Sequence, residues 1–191
     1  MMMDKNKFWE LIQTSYKEAN WETDKQMQLL IGKLSEYSQE EILKFGKIYE
    51  IYAKESEKSK LWAAAHVLND GCSEDCFESF RGWLISRGKE PYFNALINPD
   101  SIIDLDMPYQ DDYYENKDMI SVAELAFNKK IGNDDDLDTY YQRMRQFELD
   151  PKEIFDIVDE ISFGEDINAE WDKKDKESVR TLVPKLCQQY W

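Results

Sequence analysis

The stretch Leu61–Gly88, LWAAAHVLNDGCSEDCFESFRGWLISRG, constrains the fold more than any other part of the chain. It is the densest apolar and aromatic block, and it holds the only histidine and two of the three cysteines. Leu61 to Leu68 are strong helix formers, and Ala63, Ala64 and Ala65 allow neighbours to approach on more than one side. Asn69, Asp70 and Gly71 supply a stop, because Asn and Gly tolerate the left-handed conformation that closes helices. Ser73 then reads as an N-cap, with Glu74 and Asp75 in the first turn, where the helix dipole favours anions. Cys76, Phe77, Phe80, Trp83 and Leu84 recur at helical spacing up to a second stop at Gly88. Two helices joined by so short a turn pack as neighbours. The block predicts a helical hairpin or corner at the centre of the core.

His66, Cys72 and Cys76 are the first residues to weigh for chemistry. They suggest a zinc site, or a thiolate activated at a helix start. A tetrahedral site needs four ligands, however, and the sequence offers no second His and no nearby CxxC; Cys187 is far away in the chain. A lone His on an apolar helix and a free Cys in such a block are ordinarily packing residues. No cofactor or metal is expected. Glu74 and Asp75 beside Arg81 are the best-placed carboxylates for hydrolysis, and capping with a surface ion pair accounts for them more simply.

Charge narrows the partners. The net charge is −16. Residues 100–118 carry seven acids and one base, and residues 132–172 carry fourteen acids and three bases, so two segments account for the acidity. Direct nucleic-acid binding is disfavoured, because phosphate contacts need Lys and Arg. A basic protein partner fits better. The chain has no apolar run of the roughly 18 residues that span a membrane. Its N-terminus lacks the apolar region of a signal peptide. Three cysteines without framework spacing point to a reducing compartment, so the expected location is cytoplasmic.

The rest of the chain reads as helix after helix. Phe8, Leu11, Ile12, Ser15 and Tyr16 form a stripe behind an Asp4 cap. Met27, Leu30, Ile31 and Leu34 form a second. Ser38 with Glu41 makes a capping box ahead of Ile42, Phe45, Ile48, Tyr49 and Tyr52. Glu90-Pro91 starts another helix, and Met119–Lys130 carries a further apolar face. Asp150-Pro151 is an N-cap followed by Pro at the first helical position, ahead of Ile154, Phe155, Ile157, Val158 and Ile161. A last segment, Glu177–Trp191, is interrupted by Pro184, and its aromatic end suggests docking against the body. Asp134 onward resembles a calcium loop, but Thr139 stands where Gly is required and Arg145 where a bidentate Glu belongs. Residues 99–118 form the longest irregular stretch. Asp104, Asp106, Tyr109, Asp111, Asp112, Tyr113 and Tyr114 make it a candidate partner-binding loop.

No GxGxxG, P-loop, GxSxG or HExxH motif is present. The central block with PYFNALINPDSI resembles the bacterial domain-of-unknown-function family 4240, on Gly71, Cys72, Ser73, Glu74, Asp75, Phe77, Phe80, Arg81, Trp83, Leu84, Ile85 and Gly88. Phe8-Trp9-x-Leu-Ile and Pro184-Lys185-Leu186 with Tyr190-Trp191 extend the likeness, while Glu74 and Cys76 depart from the pattern. The resemblance implies a helical intracellular bacterial protein and brings no activity. Within the motif Cys72, Ser73, Glu74, Asp75, Phe80, Arg81 and Trp83 are the residues to locate, Arg81 being placed to pair with Glu78 or Asp75 or to tie its helix to a neighbour.

The expectation is an all-α single domain, residues 1–191, of about eight to ten helices. It comprises the core hairpin 61–88, the acidic loop 99–118 and an acidic helical part 119–191. The leading functional reading is a non-enzymatic protein-interaction module with an acidic surface, in one form an immunity or inhibitor-type protein against a basic partner. The second is an enzyme or a small-ligand or metal-binding protein with a site near Cys72–Arg81.

Overall fold

Capping chemistry sets several of the helix starts in the computed structural model, which describes residues 2–105, 113–132 and 137–191. Asp4 accepts the Lys7 N–H at 2.8 Å and opens α1, Lys5–Glu18. After α2, Thr23–Leu34, Ser38 and Glu41 form the full reciprocal box that opens α3, Gln39–Glu55. Each such pair satisfies amide hydrogens that a helix start leaves bare.

The central block folds into α4, Ser59–Leu68, and α5, Glu74–Ser86. Asp70 and Gly71 take positive φ (49° and 116°) in the turn between them, and Ser73 caps α5 through the Cys76 N–H at 3.2 Å. α5 leans on α7 (Asp118–Ile131), on α3 and on α6 (Lys89–Ile97) more than on α4, so the pair is a corner and not a zipped hairpin. Gly88, at φ 109°, makes the bend from α5 into α6. α7 in turn lies against α2 and α3, placing α5 and α7 at the centre of the domain.

Two aromatic clusters fill the interior. Trp9 and Tyr52 pack at 4.8 Å between centroids, with Phe8 and Tyr92 against them. Trp62, Phe77, Phe80 and Trp83 stack in sequence along the α4–α5 corner, the first pair at 5.1 Å and an interplanar angle of 3°. Trp83 and Phe80 are fully enclosed. Burying rings of this size is worth roughly 1.5–3 kcal/mol each.

The described residues contain eleven α-helices, one 3-10 helix and no strand, more than the eight to ten expected. Pro184 accounts for part of the excess. It cannot continue a helix, so the last segment divides at Val183 into α10, Lys176–Leu182, and α11, Pro184–Tyr190. The expected irregular stretch 99–118 also begins as structure, since Pro99–Asp104 is a 3-10 helix. Its Asp100 is buried, and the carboxylate accepts the Lys185 N–H at 3.2 Å and the Leu186 N–H at 3.0 Å, capping α11 from a distant part of the chain.

α8, Leu137–Gln146, and α9, Pro151–Asp159, flank the body. The expected apolar face of α9 is only half covered. Ile157 is buried and Ile161 follows it inward, whereas Ile154, Phe155 and Val158 face outward. The acids Asp134, Asp135 and Asp136 of the calcium-like run lie outside the described residues. Among the described residues no helix is long and apolar enough to cross a membrane.

Candidate functional site

The motif residues sort by burial. Ser73, Glu74 and Asp75 stand exposed at the start of α5 and serve as cap and first turn. Phe80 and Trp83 belong to the interior, and Trp83 also holds Tyr114 edge-on at 5.1 Å. These positions build the corner.

The cysteine reading changes. Cys72 and Cys76 are joined as a disulfide, with Cα atoms 5.3 Å apart, so neither sulfur is a thiol available to a metal or a nucleophilic attack. Spacing alone could not show this, since a disulfide needs Cα atoms about 4.4–6.8 Å apart with their Cβ atoms facing each other, which only the turn before α5 decides. His66 is occupied as well. Its Nδ1 accepts the Cys72 N–H at 3.1 Å, and its ring meets Trp171 and Trp191 edge-on. Burial, followed by the nearby Lys173 charge, pushes its pKa below the ordinary value, so the ring is a neutral structural acceptor. Trp62 closes the turn by donating Nε1–H to the Cys72 carbonyl at 3.1 Å. Cys187 is buried, and burial raises its thiol pKa.

Arg81 does not pair with Asp75. Its Nη1 donates to the Ala53 carbonyl in the last turn of α3 at 2.7 Å, and the Glu57 carboxylate lies 3.9 Å away. The expected tie to a neighbouring element exists, made through a backbone oxygen. The guanidinium also lies over the Phe77 ring at 5.1 Å, and its Nε is enclosed without a hydrogen-bond partner. Arg87, which the sequence did not single out, is the more buried arginine: it stacks on Tyr16 at 4.5 Å and donates to Tyr16, Thr23 and Ser86 hydroxyls.

The loop candidates divide. Asp106, Tyr109, Asp111 and Asp112 lie outside the described residues. Asp104 and Tyr113 are exposed, Tyr113 by 63%. Tyr114 is turned inward and is not presented at the surface. It is buried, its N–H donates to Asn69 Oδ1 at 2.8 Å, and its hydroxyl meets that of Tyr190 at 2.9 Å.

Two features escaped sequence reasoning. One is the outward face of α9, where Phe155 is 64% exposed, Ile154 40% and Val158 38%. The other is a cavity of about 360 Å³ between α3, α5, α7 and α8. Arg81 reaches it and Cys72 does not, so the site expected near Cys72–Arg81 splits into a structural turn and a cavity wall. Small residues at Gly46, Ala53 and Ala123 were the available signal for it, since helices packed across such positions leave room or come close. A Cβ on Gly46 would lie 2.7 Å from the Tyr140 hydroxyl.

Glu160 anchors the chain after α9. It accepts from Tyr52, from Lys89 at 3.0 Å, and pairs with Lys5 at 3.2 Å. Burial alone would raise its pKa, but the hydrogen bonds from Tyr52, Lys89 and Lys5 outweigh it and hold the carboxyl below its ordinary value.

Residues 3–129 match the sequence profile of DUF4240, described as a protein of unknown function. This is more than half of the chain, and the chain belongs to that family. The likeness at Pro184–Trp191 lies outside the matched span. No curated protein and no solved structure matches the chain.

Proposed function

We propose that this member of a family without an established activity works as a protein-interaction module, binding a basic amphipathic segment of a partner through the outward face of α9. The observation that carries the reading is the exposure of Ile154, Phe155 and Val158 side by side on one short helix. A cluster of large apolar side chains left in water, unlike singly scattered ones, marks a contact surface. Asp156 and Asp159 of α9 and the preceding Glu148 are exposed and outnumber the one exposed base of the helix, Lys152, while Lys44 engages Glu153. The helix therefore combines exposed apolar side chains with a net acidic surface, which suits an apolar anchor flanked by Lys or Arg. An inhibitor or immunity-type protein acting on a basic toxin or nuclease is one form of this reading, supported by the net charge of −16.

The test compares the wild-type chain with Phe155→Asp, both immobilised, in a lysate of the source cell at low and high salt. Support requires a basic protein that the wild type retains at low salt, releases in part at high salt, and that Phe155→Asp fails to hold. Retention by both forms would remove α9 from the interface, and retention by neither would sink the proposal.

A further inference from the structure

We infer that the cavity between α3, α5, α7 and α8 is a binding site for a small zwitterion with an apolar body, of the chemical class of an apolar α-amino acid. At about 360 Å³ it falls near the low end of the range of small-molecule sites, roughly 300–1,000 Å³. This inference is independent of the α9 reading, since the two places share no residue.

The floor is apolar. Phe45, Met119, Ala123 and Met144 present it from three helices, and the two methionines can shift to fit an irregular occupant. Polar groups line its wall. Tyr49 and Tyr140 line the cavity, and both residues are largely buried. Burial raises the pKa of both phenols, which keeps them as neutral donors and acceptors. Buried polar groups are normally satisfied, and the Arg81 Nε, enclosed without a hydrogen-bond partner, is the lining atom among the described residues that is not.

The rim carries both signs of charge. Arg81 has one described hydrogen bond, to Ala53, out of five donors. Lys54 stands beside it at the rim without an ion pair among the described residues. On the acidic side, Glu50 is drawn off to Lys47 at 3.0 Å, and Glu57 is too far from Arg81, at 3.9 Å, for a hydrogen bond. Glu78 has no described ion pair. A purely anionic ligand would meet Glu57 and Glu78, and a purely cationic one would meet Lys54 and Arg81. A ligand bearing a carboxylate and an ammonium group engages both sets, and its side chain enters the floor.

Methyl resonances of methionine in the full-length chain supply the test. Met119 and Met144 line the cavity, whereas Met3 and Met27 are buried elsewhere and serve as internal controls. The probes are L-phenylalanine, phenethylamine, which lacks the carboxylate, and 3-phenylpropionate, which lacks the amine. L-phenylalanine shifts Met119 and Met144 saturably, leaves Met3 and Met27 in place, and binds about fivefold more tightly than either single-charge probe. Glu78→Gln weakens L-phenylalanine and phenethylamine and spares 3-phenylpropionate; Lys54→Met does the reverse for the two single-charge probes. Both substitutions are at exposed positions, so the fold is not at issue. Absence of a saturable shift with all three probes would overturn the site. Equal affinity for the three would overturn the zwitterion and leave an apolar crevice.

Discussion

α5 and α9 begin alike and end differently. Each opens on a side-chain cap, Ser73 or Asp150, each carries acids in its first turn, and each repeats large apolar residues at helical spacing. Yet α5 is wrapped by α7, α3, α6, α4 and α1, whereas α9 rests chiefly on α3. The result is that Trp83 is 2% exposed and Phe155 is 64% exposed. Amphipathic spacing says that a helix has an apolar side; it does not say how many neighbours arrive to cover that side. In α5 the apolar residues are the core, and in α9 half of them are surface.

Substitutions along the two helices can break this contrast. The largest effect is expected for Trp83→Ala, which empties a fully packed site and should lower the unfolding free energy in denaturant by about 3–5 kcal/mol. A loss below that range would mean that α5 is less enclosed than its packing indicates. Glu160→Gln comes next. It removes the charge that Lys5 and Lys89 share at the exit of α9 and should cost about 1.5–3 kcal/mol at neutral pH. Because the folded carboxyl has a lowered pKa, its stabilisation is present above the unfolded value, 4.5, and is lost as pH falls through the lower folded value. Wild-type stability should therefore drop more steeply below about pH 4.5 than that of Glu160→Gln. Equal acid profiles would remove Glu160 from this role.

Arg81→Ala should cost less, about 1–1.5 kcal/mol, because the Ala53 carbonyl keeps the Ser56 hydroxyl as a donor at 3.0 Å. A buried pair with Asp75 would have demanded about 3–5 kcal/mol, so the measured figure separates the two arrangements. Phe155→Asp sits at the bottom of the scale, with stability changed by no more than about 0.5 kcal/mol. A larger loss would show that Phe155 supports the fold, and the contrast between the two helices would fail.

Local chemistry made much of this fold legible. Asp4, Ser38, Ser73 and Asp150 cap where their positions before apolar runs predict, because a cap needs only its own residue and the next three. Trp83, Phe80 and Phe8 were recognisable as core by size and register. What depends on distant chain was not. Tyr114 sits in an acidic, loop-like run, and only the arrival of Trp83 and Tyr190 makes it an interior residue. Arg81 had three acids within a turn or two, and it turned instead to a carbonyl 28 positions back. The disulfide between Cys72 and Cys76 closes so short a loop that it adds only about 2 kcal/mol in the chain-entropy account, and no long-range spacing pattern announces it. The cavity was the least legible feature, since it is made by what Gly46, Ala53 and Ala123 lack.

The cap that Asp100 places on α11 has a consequence for the order of events during synthesis. Its two amide donors lie 85 and 86 positions further along the chain. A ribosome releasing the N-terminal side first exposes Asp100 while Lys185 and Leu186 are still unmade. Until they emerge, the carboxylate lacks its two amide donors and is left to water. The face of α4 against which α11 packs is bare for the same interval. A nascent chain halted before α11 should therefore remain open to hydrogen exchange along α4 and Pro99–Asp104, two elements that α11 packs against.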